Sequence, residues 1–257
     1  MIETDFHRRE FADGEELALG LAAWTAEHLR AAIAVRGAAL LIVSGGKSPA
    51  RFFDRLSNMD LDWPRVAITL ADERRVADDS PRSNARLARE RLLRNRAEAA
   101  SFTPLADVRL PEDRELAAAS ARIANLPLPA DVVVLGMGDD GHTASWFPGA
   151  EGLADAMDPA ARQLVAPICA ANAGEPRLTL TGRVILRARA IALEIEGEAK
   201  LATFAAALEP GPEQAMPIRA VLRGAADRLT VFMCPRTDSA GPDGPSHPPP
   251  GKILPAR

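Results

Sequence analysis

A doubly wound α/β fold with a mostly parallel sheet is predicted by three features of this sequence. Short apolar runs recur along it, at residues 38–43, 66–70, 132–135, 191–195 and 228–234. They are too short and too rich in branched aliphatic side chains for amphipathic helices, and suit strands buried on both faces of a parallel sheet. Stretches with apolar residues at helical spacing alternate with these runs, which is the pattern of βαβ units. The run at 132–135 also stops abruptly at Gly136, and those at 38–43 and 191–195 reach Gly45 and Gly197 two residues on; open α/β sheets bind their ligands at the carboxyl ends of strands. With 257 residues, 47% of them hydrophobic, the chain is long enough to bury a substantial core.

Taken in order, residues 15–35 carry Leu17, Leu21, Trp24, Leu29 and Ile33 near one helical face, so an amphipathic helix is expected there. Gly37 separates it from the strand at 38–43, which runs into Ser44, Gly45 and Gly46. Ser48 and Pro49 start the next helix, the serine as N-cap and the proline at the first helical position, where its missing N–H costs nothing. A strand, two glycines and a helix start bring free backbone N–H groups and the positive end of a helix dipole together. That arrangement suits an anion or an oxyanion, and equally an ordinary tight turn. The strand at 66–70 is followed at once by Asp72, Glu73 and Arg74. Arg74 there suits a phosphate, although such a triplet also serves as a solvated strand end with local ion pairs.

Residues 82–96 are arginine-rich and expected to be helical, with Ala85, Ala88 and Leu92 inward, and residues 112–125 form a further amphipathic helix. A strand is expected at 163–169, and at 177–181 a short element leading into a helical turn. Gly197 and Lys200 follow the strand at 191–195, at the opening of a helix through Phe204 and Leu208. A lysine in a first helical turn opposes the dipole unless an anion lies there, which favours a ligand role for Lys200. Met216 to Arg219 begins one more short helix, before the last strand at 228–234. Residues 235–257 hold seven prolines and three glycines with little apolar periodicity, so a disordered tail is expected after a single domain spanning 1–234.

The stretch from Asp131 to Gly149 carries the densest chemistry. Its apolar strand stops at Gly136, and Gly136, Gly138 and Gly141 permit tight turns or close approach of a ligand, with the titratable Asp139, Asp140 and His142 among them. The string from Gly136 to Ser145, followed by Phe147-Pro148-Gly149, resembles the hallmark of the 6-phosphogluconolactonase family position for position. Other stretches similar to that family's motifs appear in the same order: Ser44 to Pro49, Asp72 to Arg74, Ser83-Asn84, Arg177 to Thr179 and Gly197 to Lys200. The resemblance spans roughly residues 10–234, nearly the whole chain.

The resemblance implies a Rossmann-like three-layer α/β/α sandwich and hydrolysis of 6-phospho-D-glucono-1,5-lactone to 6-phospho-D-gluconate in the oxidative pentose phosphate pathway, without metal or organic cofactor. Carried over position by position, it makes His142 the base and Arg74 and Lys200 the phosphate ligands. Gly45, Gly46, Asp72, Gly136 and Asp140 line the pocket, and Lys47, Ser48 and Arg219 complete the candidate substrate contacts. Three positions depart from the family's pattern. Lys47 stands where many relatives have serine, Gly182-Arg183 follows Thr181 in place of a proline-containing turn, and Trp146 replaces leucine as a packing change.

These residues make chemical sense without the family name. The sequence has no Gly-x-Ser-x-Gly elbow, no Walker lysine motif and no His-Glu-x-x-His pair, and its four histidines, at 7, 28, 142 and 247, are too scattered for a metal centre. Water is therefore the expected nucleophile. A neutral His142 takes its proton and returns it to the departing ring oxygen, with Asp140 or Asp72 orienting the histidine or the substrate. Backbone N–H groups steady the oxyanion, and the remote phosphate fixes the lactone against the water.

A net charge of -4 and a pI near 5.7 argue against nucleic acid as a partner. No apolar run is long enough to span a bilayer and no signal segment is evident, so a cytoplasmic monomer is expected, acting on a small sugar-phosphate lactone. Cys169 and Cys234 sit in apolar stretches and are expected to be small core residues. Two other readings stay open. A glucosamine-6-phosphate deaminase or isomerase shares such a pocket but has Asn-Glu shortly after Asp-Gly-His, whereas here no acid follows His142 until Glu151. A non-catalytic sugar-phosphate sensor would normally carry an added DNA- or partner-binding module.

Overall fold

The structure, a computed structural model, describes residues 6–46, 48–170 and 174–235. Lys47 and residues 236–257 lie outside the described residues, and with them most of the expected tail. Strand β1 (His7–Glu10) leads into α1 (Gly14–Arg36), capped by Asp13, whose Oδ1 accepts the N–H groups of Glu15 and Glu16 at 2.9 and 3.0 Å. Leu17, Leu21, Trp24 and Leu29 turn into the core, and Gly37, at φ 76°, closes the helix in the left-handed conformation that favours glycine. There follow β2 (Ala39–Val43), α2 (Pro49–Leu56), β3 (Val66–Leu70), β4 (Asp72–Arg74), α3 (Asn84–Arg91), β5 (Ser101–Thr103) and α4 (Glu112–Ala124). The second half contains β6 (Val132–Gly136), α5 (Leu153–Met157), β7 (Val165–Ile168), β8 (Arg177–Leu180), α6 (Gly182–Ile185), β9 (Ala190–Glu196), α7 (Glu198–Leu208), α8 (Ile218–Gly224) and β10 (Leu229–Cys234).

Seven strands make a wholly parallel sheet in the order β1-β10-β9-β6-β2-β3-β5. Every residue of β2, β9 and β10 is buried, as near-continuous apolar runs require of strands covered on both faces. From β2 the chain steps outward through β3 to β5, and from β6 it steps the other way through β9 to β10. Helix α1 packs on α2 and α2 on α3, while α7 packs on α8, and crossovers of the usual right hand set these two groups on opposite faces of the sheet, the three layers of the fold. The direction of winding reverses between β2 and β6, and there the two glycine-rich loops emerge side by side.

Three expectations need correction. The helix expected over 82–96 ends at Arg91: the N–H groups of Leu92 and Leu93 both reach Ala88 O, and Asn95 takes φ 53°, so the chain turns into a 3-10 segment at Asn95–Ala99. A second, antiparallel sheet, β4-β8-β7, stands beside the parallel one. Its strands are three or four residues long, too short for a period to register, and Pro167 sits in its edge strand, where a missing N–H is tolerated. Cys169, at the end of that edge strand, is exposed rather than in the core, while Cys234 is buried. No helix among the described residues is long and apolar enough to cross a membrane.

Candidate active site

A cavity of about 220 Å³ opens at the carboxyl ends of β2 and β6, where the winding reverses. The loop after β2 contributes Ser44, Gly45, Gly46 and Ser48 to its wall. The N–H groups of Gly45 and Gly46 donate to nothing among the described residues, and the Ser44 hydroxyl is buried without a partner. Gly46 is at φ 116°, and a Cβ on Gly45 would stand 1.9 Å from Asn84 Oδ1, so this loop is folded tightly onto the opposite wall. Ser48 precedes α2 as expected but is itself helical and makes no capping bond; its Oγ instead lies 3.5 Å from Lys200 Nζ.

The loop after β6 holds the histidine. His142 Nδ1 lies 2.6 Å from Asp140 Oδ1, which also accepts the His142 N–H at 3.0 Å, a two-residue clamp that sets the ring. With the Nδ1 proton given to Asp140, Nε2 keeps its lone pair. Burial pushes the Asp140 carboxyl up, but the hydrogen bonds and charge of His142 outweigh it and leave the carboxyl below its ordinary range. Phe147 packs its ring 4.3 Å from the imidazole, and the Arg177 guanidinium lies over the same ring at 5.0 Å. The motif residues between them have separate tasks. Thr143 Oγ1 donates to Gly136 O at 2.8 Å, Ala144 faces the cavity at the strained φ of 49°, and Ser145 Oγ donates to Asp72 Oδ2 at 2.6 Å. Trp146 is more than a packing change, because its indole N–H donates to Leu180 O at 3.1 Å and ties the loop to β8.

Gly138 has no side chain for a physical reason. A Cβ there would stand 2.1 Å from His142 Cε1 and 2.2 Å from Nδ1. Gly138→Ala is therefore expected to push the ring off Asp140 and lower turnover about 10²-fold, the scale of an ångström's misplacement. Melting temperature should stay near wild type, because the ring is half exposed; unchanged turnover would dissociate the ring position from catalysis.

Asp72, Glu73 and Arg74 split between cavity and scaffold. Buried Glu73 accepts the N–H groups of Arg74, Asn84 and Ala85 at 2.7 to 2.8 Å and anchors the start of α3. Burial raises its pKa against those same hydrogen bonds. Asp72 and Arg74 line the cavity. Asp72 makes no hydrogen bond to His142; it accepts from Ser145 and has the Arg177 Nη1 at 3.6 Å. Arg74 Nη1 donates to Arg82 O and to Asn84 Oδ1, and its Nε is buried with no partner among the described residues.

Of the expected cations, the structure brings Arg74 and Lys200 to the cavity and leaves Arg219 elsewhere. The Arg219 guanidinium is spent on Ala206 O, Ala207 O and Pro212 O at 3.1 to 3.2 Å, where it closes the carboxyl end of α7. Gly136 lines the cavity, and a Cβ there would meet nothing within 4 Å. Gly182 and Arg183 are used away from the site: Gly182 packs under Met157 O, and Arg183 reaches Ala161 O and Arg162 O.

The lining residues that were not among the expected site residues include Asn84, Arg177 and Glu194. Burial lowers the Arg177 guanidinium from its ordinary value without discharging it. Glu194 is 3% exposed, and burial first, then Glu196, raises its carboxyl to about 7 against the pull of Lys200 and Arg51. Between pH 4.5 and 7 the unfolded chain ionises this group while the folded chain keeps the proton, so its contribution to stability falls as pH rises and levels off above 7. The stability difference between Glu194→Gln and wild type is expected to shift by roughly 3 kcal/mol in the variant's favour from pH 4 to pH 8, read by denaturant unfolding. A constant difference would mean that the carboxyl ionises alike in both states.

Known proteins resemble the chain over most of its length. A family profile described as glucosamine-6-phosphate isomerases/6-phosphogluconolactonase matches residues 12–231. The 6-phosphogluconolactonase of Mesorhizobium japonicum is 50% identical over 232 residues, covering 90% of this chain and 97% of that protein. The 6-phosphogluconolactonase of Pseudomonas aeruginosa is 47% identical over 220 residues, 86% of this chain and 91% of its own. The crystal structure of a 6-phosphogluconolactonase from Shewanella baltica matches with a TM-score of 0.86 at 40% identity, over 92% of this chain and 100% of that one.

Proposed function

The chain belongs to the glucosamine-6-phosphate isomerase/6-phosphogluconolactonase family and is a hydrolase of the 6-phosphogluconolactonase type, and from that premise we propose that it opens 6-phospho-D-glucono-1,5-lactone to 6-phospho-D-gluconate with His142 as general base. One observation carries the residue assignment: the His142–Asp140 pair opens onto the same cavity as Lys200, Arg74 and the bare N–H groups of Gly45 and Gly46.

In this reading, His142 Nε2 takes a proton from water as the water oxygen bonds to the lactone carbonyl carbon. The carbonyl oxygen becomes an oxyanion and accepts from the N–H groups of the loop after β2. When the ring C–O bond breaks, the leaving oxygen takes the proton back from Nε2, and an acid and a hydroxyl remain. Asp140 holds the ring and stabilises the transient imidazolium. Lys200, Ser48 and Arg74 receive the phosphate, while Asp72 and Gly136 line the lactone's bed. The same reading makes the enzyme a cytoplasmic monomer of the oxidative pentose phosphate pathway that needs no metal.

A deaminase or isomerase would need a carboxylate working with His142. The first acid after it, Glu151, is exposed, bridges through its backbone to Cys169, and does not line the cavity. Purified chain is expected to release 6-phosphogluconate from fresh lactone, seen by coupled detection, and to leave glucosamine 6-phosphate unchanged. Fructose 6-phosphate formed from glucosamine 6-phosphate, with no lactone turnover above the spontaneous rate, would replace the lactonase reading with the isomerase one.

A further inference from the structure

We propose that Glu194 is a further substrate-contacting residue, which as a neutral acid donates a hydrogen bond to the phosphate received by Lys200 and the start of α2, and which repels that phosphate once ionised. The inference rests on the lactonase reading and adds a group that sets how the site's affinity varies with pH. Glu194 lines the cavity although it is 3% exposed, and among the described residues its carboxyl makes no hydrogen bond or ion pair. A buried carboxyl without a partner is costly unless a ligand or a proton satisfies it.

Its surroundings define where it points. Glu196, two residues along the same strand and so on the same face, pairs with Arg51 of α2. Glu194 therefore projects on the α2 side of the sheet, toward the loop that carries Gly45, Gly46 and Ser48. Its two register partners bring no charge: Gly136 on β6 leaves open cavity, and Phe232 on β10 is apolar. The charged groups acting on it are Glu196 on its own strand, Lys200 from α7 and Arg51 from α2. Arg51 is already held by Glu196, and Lys200 Nζ lies toward Ser48 Oγ.

A phosphate set between Lys200 and the start of α2 is an acceptor on every face it presents. A protonated carboxyl gives it one more donor, whereas a carboxylate in the same cavity is a second anion. Because burial and Glu196 hold the Glu194 proton up to about pH 7, both states are populated across the physiological range.

The test is calorimetric titration of 6-phosphogluconate into the full-length wild-type chain, Glu194→Gln and Glu194→Ala, at pH 7 and pH 8.5. The phosphate contributes the same pH dependence to all three proteins, so the ratios between them isolate Glu194. From pH 7 to 8.5, wild type is expected to lose about tenfold in affinity relative to Glu194→Gln, the slope of one proton lost from the free site. Glu194→Ala should lack that loss too and bind more weakly than wild type at pH 7, which keeps the test alive if the glutamine variant fails to fold. Equal pH dependence in the three proteins overturns the inference and leaves the lactonase reading standing. No binding of 6-phosphogluconate by wild type at either pH overturns both.

Discussion

Replacing His142 with alanine is expected to lower lactone turnover by roughly 10²- to 10⁴-fold, the range of general-base catalysis, while KM and the fold stay close to wild type. Among the described residues the imidazole is held by Asp140 and by the Phe147 ring, and it is 29% exposed, so its removal leaves no buried group orphaned among them. It also holds no phosphate in the proposed site, and the loss should fall on kcat. The measurement is the initial rate of 6-phosphogluconate formation above the lactone's spontaneous hydrolysis. Wild-type turnover in the alanine variant would remove His142 from the mechanism.

Lys200→Ala is expected to raise KM for the phosphorylated lactone about ten- to a hundredfold, since a charge-assisted hydrogen bond contributes about 1.5–3 kcal/mol. Unphosphorylated gluconolactone should be far less affected. Lys200 is a cleaner probe than Arg74. Among the described residues its side chain makes a single long contact, to Ser48, whereas Arg74 also braces Asn84 and Arg82 O, and its removal disturbs the wall itself. Steady-state kinetics on both substrates decides the matter. An equal loss on the two lactones would make Lys200 a scaffold residue and leave the phosphate to another cation.

What was legible in the sequence was mostly local. The βαβ alternation, the amphipathic α1 and the two strand ends at Gly45 and Gly136 follow from residues adjacent in the chain, and Asp140 meets His142 across two positions. Lys200 was readable because a cation in a first helical turn asks for an anion. The rest depended on register. Arg177 comes to Asp72 and Phe147 only through the pairing of β8 with β4, two strands too short to announce themselves. Glu194 did leave a signal, as a lone acid within the apolar run 191–195, but nothing local says that its neighbour across the ladder is a glycine bordering a cavity. Arg219 misled for the complementary reason: an arginine near a helix start reads the same whether it binds a ligand or closes three carbonyls of its own fold.

The most direct test of a phosphate-directed lactonase site is the ratio of kcat/KM for 6-phospho-D-glucono-1,5-lactone over D-glucono-1,5-lactone in the wild-type chain. The two substrates share the reacting ester and differ only in the group assigned to Lys200, Ser48 and Arg74. Two charged contacts of the usual strength lead to an expected ratio of about 10² or more. A ratio near one, or faster turnover of the unphosphorylated lactone, would contradict the assignment of this cavity.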